Sequence, residues 1–135
     1  MKINILFYFF LSFISFWQNK SLITFKVQVP SNLDEVYITG NQENIGNWEP
    51  SKIKMNKISD FEREITLVLT LPVEFKFTKG NWESEAIIKS NGETSNLLIE
   101  NNSKNTFFYK VRYWLDDEIT NDEFISEYEI KKLNS

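Results

Sequence analysis

The sequence of 135 residues contains no cysteine and no histidine, and it has only 4 glycines and 3 prolines. Without thiol or imidazole groups the chain cannot form a Cys/His zinc site, a thiolate nucleophile or a catalytic triad that uses histidine as the base. Most hydrolase mechanisms are thereby excluded. The lack of cysteine leaves the redox compartment open, because a chain without thiols suits oxidising and reducing environments equally.

A net basic charge is also missing. The 15 Lys and Arg residues face 19 Asp and Glu residues, so the formal net charge is -4. Nucleic-acid binding draws on a basic surface, and we therefore expect no nucleic-acid partner. No calcium-binding D-x-D-x-D-G loop occurs, and we expect neither a metal nor a cofactor. The length suits a single domain of about 100–150 residues.

Residues 1–18 have the pattern of a secretory signal peptide. Lys2 precedes an apolar run at residues 3–17, and polar residues follow. The run is shorter than the roughly 20 apolar residues that span a bilayer, so we expect no stable membrane span. The protein is predicted to be secreted or periplasmic, with the bacterial cell surface as a further location. An uncleaved anchor is the alternative, because no A-x-A cleavage pattern is present.

Apolar and polar residues alternate with a period of two from residue 22 onward, as in half-buried strands. In the first such stretch Ile23, Phe25, Val27 and Val29 share one face, and Pro30 ends the strand. Further strands are predicted at residues 36–39, 61–71, 73–77, 86–89, 96–100 and 106–114, with a short segment around Ile53 and Met55. About seven short strands without a confident internal helix predict an all-β domain, an antiparallel β-sandwich.

The composition changes after the last predicted strand. Between Asp116 and Glu129 the chain is rich in acidic residues and has no basic residue. We interpret residues 115–135 as an acidic C-terminal extension or linker.

Two tryptophans lie in predicted loops, Trp48 in residues 41–51 and Trp82 in residues 80–85. The flat indole face matches the C–H face of a pyranose ring, so a pair of loop tryptophans favours a platform on which sugars stack. The alternative is that each tryptophan folds back and plugs one end of the sandwich.

Three acidic residues lie close together in the sequence. A pair of carboxylates among Glu74, Glu83 and Glu85 could in principle perform glycoside hydrolysis. The ordinary role of such acids is solvated charge at loops and strand edges, and a domain of this size has little room for a deep cleft. We therefore do not expect an enzyme.

Several short pieces occur in a characteristic order. They are Thr24-Phe25-Lys26-Val27, Val36-Tyr37-Ile38-Thr39-Gly40, Ile45-Gly46-Asn47-Trp48, Leu71-Pro72, Glu74-Phe75-Lys76-Phe77 and Asn81-Trp82-Glu83-Ser84. In order and spacing, residues 22–114 resemble the starch-binding carbohydrate-binding modules of family 20. The resemblance implies an immunoglobulin-like β-sandwich that binds α-glucan (starch, glycogen or maltooligosaccharides) without catalysis. Trp48 and Trp82 would stack on glucose rings, and Lys76 and Glu74 would bind hydroxyl groups.

The sequence departs from the family pattern at two places. Ile87 stands where the family carries a sugar-binding asparagine, and residues 31–33 and 56–61 lack the tyrosines of the family's second site. We therefore expect one site with a weakened polar arm. Residues 76–86 also resemble a variant of the module that precedes esterase-type hydrolase domains in exported bacterial proteins. The alternative function is thus a scaffold or docking domain of such a hydrolase, with vestigial sugar binding.

Overall fold

The computed structural model describes residues 20–117, so the predicted signal peptide and most of the acidic extension lie outside the described residues. Ten strands follow one another: β1 (Lys20–Gln28), β2 (Tyr37–Gly40), β3 (Ile53–Lys54), β4 (Asn56–Ser59), β5 (Glu62–Thr70), β6 (Val73–Thr78), β7 (Ala86–Ile87), β8 (Leu97–Ile99), β9 (Thr106–Lys110) and β10 (Tyr113–Trp114). Single turns of 3₁₀ helix lie at Glu43–Ile45 and Trp82–Ser84. Between residues 20 and 117 the chain forms no helix of the length and hydrophobicity that a membrane crossing needs.

The strands form two four-stranded sheets and a small two-stranded one. The strand orders are β4-β5-β1-β9, β3-β2-β6-β8 and β10-β7. The predicted all-β sandwich is confirmed. One pairing differs from an all-antiparallel arrangement, because β9 runs parallel to β1. Parallel neighbours need a long crossover, and β1 and β9 are separated by most of the domain.

The predicted strand at residues 106–114 is divided in two. The N–H of Val111 still donates to the carbonyl of Gln28, the last residue of β1, at 2.9 Å. The next N–H, that of Arg112, donates instead to Ile87, also at 2.9 Å, so the chain has crossed to the small sheet. Alternation of apolar residues continues through this crossing, which is why the sequence pattern does not reveal it.

The core lies between the inner faces of the two large sheets. Phe25 and Phe75 meet edge to face with ring centroids 5.0 Å apart, and Tyr109 contacts Phe75 at 5.6 Å. Such offset aromatic contacts add to the stabilisation from burial. Burial also raises the pKa of the Tyr109 hydroxyl to about 12. The period-two pattern of β1 is confirmed, because Ile23, Phe25 and Val27 are fully buried.

Trp114 packs into the core and has a polar partner. Its side chain is 1% exposed, and its Nε1–H donates to the Oδ2 of Asp34 at 3.0 Å. Asp34 also accepts the N–H of Ser31, which closes the turn between β1 and β2. Trp114 therefore joins the end of the described chain to its first turn.

The pair of strands β2 and β6 carries the predicted site. They are antiparallel, with Tyr37 opposite Thr78 and Gly40 opposite Phe75. Since Phe75 and Phe77 face the core, Lys76 and Thr78 lie on the opposite face of the sheet. In an antiparallel pair the loop after β2 and the loop after β6 leave from opposite ends.

Candidate functional site

The loop at residues 41–51 leaves β2 through a glycine that tolerates no side chain. A Cβ at Gly40 would lie 2.3 Å from the carbonyl oxygen of Glu74 and 2.9 Å from Ile45. The loop therefore starts in close contact with β6. Ile45 is fully buried and anchors the 3₁₀ turn that follows.

Trp48 has an uncommon backbone conformation. Gly46, Asn47 and Trp48 have φ values of 92°, 47° and 63°, so three successive residues lie in the left-handed region. A bulky residue adopts this conformation only where its surroundings impose it, and such residues concentrate at functional sites. Here the N–H of Trp48 donates to the carbonyl of Gly40 at 2.9 Å, which folds the loop back on itself. The indole of Trp48 is half-buried.

Three polar side chains attach the Trp48 loop to the strands. Gln42 donates to the carbonyl of Thr70 and accepts its N–H at 2.9 Å. Asn44 donates to the carbonyl of Val68 at 2.9 Å, and Asn41 accepts the N–H of Glu74 at 3.2 Å. The loop is thus bound to β5 of one large sheet and to β6 of the other. Such a loop presents its tryptophan in a defined position.

The second loop holds Trp82 in a 3₁₀ turn with its own bracing. The Oδ1 of Asn81 accepts the N–H of Ser84 at 2.9 Å, as a helix N-cap does. The hydroxyl of Ser84 donates to the carbonyl of Asn81 and accepts the N–H of Lys79, both at 3.0 Å. Ser84 is 1% exposed, whereas Trp82 is 39% exposed. The polar residues around Trp82 therefore build the turn, and the indole remains open to a ligand.

Lys76 does not stand free. Its ammonium forms an ion pair with Glu85 and donates to the carbonyl of Thr94. The side chains of Lys76 and Glu85 are only 16% and 10% exposed. A lysine ammonium has three N–H donors, so one remains for a hydroxyl group beyond these two partners. The sequence did not indicate Glu85 as the partner of Lys76, because the pairing depends on the turn that contains Trp82.

Glu74 is the more accessible of the two predicted polar residues. It lies exposed on β6, and its Oε2 accepts one long hydrogen bond of 3.4 Å from Asn96. Its backbone is bonded to Asn41, at the start of the Trp48 loop. Glu74 therefore adjoins the Trp48 loop, while Lys76 is tied through Glu85 to the Trp82 loop.

Ile87 is fully buried in β7, opposite Tyr113. Because its side chain lies in the core, this position offers no polar group to a ligand.

The described residues also contain no group of three or more His, Cys, Asp or Glu side chains that could hold a metal ion.

Residues 20–109 match the family model described as starch binding domain. Among solved structures, the chain is similar to a glycoside hydrolase family 15 glucoamylase from Hypocrea jecorina, with a TM-score of 0.46 and 16% identity. That similarity covers 67% of this chain and 16% of the glucoamylase chain, so this chain spans a small part of that protein. A search of the curated proteins found no match.

Proposed function

Since the chain belongs to the family of starch-binding domains, we propose that it binds starch-type α-glucan by stacking glucose rings on Trp48 and Trp82. The observation that carries this proposal is the construction of the two loops. Each loop is held by partly buried hydrogen bonds, and each presents an indole that is not enclosed in the core. The indole of Trp114, by contrast, is enclosed in the core and only 1% exposed.

Glu74 and the remaining N–H of Lys76 are the polar groups that we assign to the glucose hydroxyls. Both residues lie on the outer face of β6, which pairs with β2, the strand before the Trp48 loop, and leads into the Trp82 loop. With few hydrogen bonds and two stacking faces, we expect dissociation constants in the micromolar to millimolar range.

We further propose that the domain acts without catalysis of its own. The carboxylate of Glu85 is held by Lys76 and is almost buried, so it is not available as an acid or base. Glu83 lies exposed on the Trp82 turn. A glycoside hydrolase needs two carboxylates that face one bond about 5–9.5 Å apart, and Glu85 is already paired with Lys76. An associated hydrolase domain would act on the bound glucan. The predicted signal peptide at residues 1–18 predicts that the binding domain and this hydrolase domain act outside the cytoplasm.

The buried Ile87 and the ion pair on Lys76 favour the second candidate, a scaffold domain with vestigial binding. Sedimentation of the purified protein with granular starch separates the two functions. We expect depletion from the supernatant by starch and not by cellulose, and release by soluble maltoheptaose. A protein that stays in the supernatant with both polysaccharides would support the scaffold function instead.

Glu74 and Lys76 are expected to differ in what their replacement does. Glu74→Gln should weaken maltoheptaose binding by about 1–2 kcal/mol and leave the melting temperature unchanged, because Glu74 is exposed. Lys76→Met should weaken binding and also lower the free energy of unfolding by about 1–3 kcal/mol, because it leaves Glu85 buried without its partner.

Titration calorimetry and thermal denaturation measure the two effects. Glu62→Gln is the matched control, an exposed glutamate on β5 of the other sheet. If Glu74→Gln and Lys76→Met both bind maltoheptaose with unchanged affinity, Glu74 and Lys76 do not contact the glucan.

A further inference from the structure

One buried hydroxyl connects the two tryptophan loops. The Oγ1 of Thr78 donates to the carbonyl of Pro50 at 2.7 Å and accepts the N–H of Gly80 at 3.0 Å. Pro50 lies two residues after Trp48, and Gly80 lies two residues before Trp82. Thr78 is fully buried, and Pro50 and Gly80 are partly buried, so solvent has little access to either contact.

We propose that Thr78 is a positioning residue that fixes the Trp48 loop relative to the Trp82 loop, and thereby sets the spacing and angle of the two stacking faces. The inference rests on the proposed function, because the spacing matters only if one glucan contacts both indoles. Thr78 itself would not touch the sugar.

The topology explains why such a link is needed. The two loops leave opposite ends of the β2–β6 pair. Loop 41–51 runs back toward β3, which starts at Ile53 opposite Ile38, and on this return path Pro50 meets Thr78. Other hydrogen bonds of loop 41–51 reach Thr70 of β5 and Glu74, which lies at the end of β6 away from the Trp82 loop.

Burial makes the hydroxyl difficult to replace. Without it, the carbonyl of Pro50 and the N–H of Gly80 would lose their shared partner in a partly buried site, and unpaired polar groups with little access to water are costly. The loops would move to find new partners. Gly80 has a φ of 116°, and a Cβ there would lie 3.4 Å from the ring of Tyr37, so the start of the Trp82 loop has little free space.

Three variants test the proposal by calorimetric binding of maltoheptaose. Thr78→Val keeps the shape and removes the hydroxyl, and we expect about tenfold weaker binding. Thr78→Ser restores the hydroxyl and should bind with nearly wild-type affinity. Thr39→Val is the matched control, because Thr39 is fully buried on the neighbouring strand and its hydroxyl has no hydrogen-bond partner among residues 20–117. This control should bind as the wild type does.

A second measurement does not depend on sugar binding. In the ligand-free protein, the indole Nε1–H resonances of Trp48 and Trp82 should both shift in Thr78→Val, return in Thr78→Ser and stay unchanged in Thr39→Val. Equal affinity and equal indole resonances in Thr78→Val and wild type would overturn the positioning role while leaving the proposed function intact.

If the wild type fails to bind maltoheptaose, the proposed function is wrong, and the indole resonances alone then decide whether Thr78 links the loops. If Thr78→Val does not fold, Thr78→Cys takes its place, because a thiol is a weaker hydrogen-bonding group. Its affinity should lie clearly below that of Thr78→Ser, and an affinity equal to that of Thr78→Ser would overturn the proposal.

Discussion

Replacement of Trp82 by alanine is expected to weaken maltoheptaose binding by about 2 kcal/mol or more, which is about thirtyfold. The indole is 39% exposed on a turn whose own contacts come from Asn81 and Ser84, so the change removes a stacking face and keeps the turn. The free energy of unfolding should therefore change by less than about 1 kcal/mol. Titration calorimetry and urea denaturation followed by circular dichroism measure the two quantities.

The same measurements on Trp48→Ala test whether the platform is shared. We expect a comparable loss of affinity, and no detectable binding when both tryptophans are replaced. Phe108→Ala is the matched control, since Phe108 is an exposed aromatic residue on β9 of the other sheet, 74% exposed. Full affinity in either single tryptophan variant would show that the glucan does not stack there.

Replacement of Trp114 by alanine should have the opposite profile. Trp114 is 1% exposed and hydrogen-bonded to Asp34, so its removal leaves a cavity and deprives the Asp34 carboxylate of one of its donors. The free energy of unfolding should fall by about 3–5 kcal/mol, as for other buried aromatic residues. Where the variant remains folded, its affinity for maltoheptaose should be that of the wild type.

Urea denaturation of Trp114→Phe separates the effect of the lost packing from that of the lost hydrogen bond to Asp34. This variant restores most of the ring volume and leaves Asp34 without the indole N–H, so a smaller loss of about 1–3 kcal/mol is expected. A loss below about 1 kcal/mol in Trp114→Ala would contradict the packing role of this residue.

The structure changes the expected sugar contacts most at Lys76. The resemblance implied that Lys76 is a sugar ligand, but a nearly buried ion pair with Glu85 occupies most of its ammonium group. A sugar hydroxyl that binds Lys76 must add to the ion pair with Glu85 and to the hydrogen bond with the carbonyl of Thr94. The polar contribution of this domain should accordingly be small beside that of the two indoles.

The sequence by itself determined the fold class and the two candidate tryptophans. Period-two alternation is a local property, since neighbouring side chains in a strand point to opposite faces whatever the strand pairs with. Ile23, Phe25 and Val27 in β1, and Phe75 and Phe77 in β6, therefore face the core as predicted. The short pieces around Trp48 and Trp82 were equally visible, because each is a continuous run of residues.

Only the tertiary structure decided which distant groups meet. The parallel pairing of β1 with β9, the bond from Trp114 to Asp34 across 80 positions, and the hydroxyl of Thr78 between the two loops all join segments far apart in the chain. Nothing in the alternation of residues specifies such partners, because a strand with one apolar face can pair with several others. Burial of the shared core selects one arrangement of the strands, and that arrangement sets the positions of the two tryptophan loops.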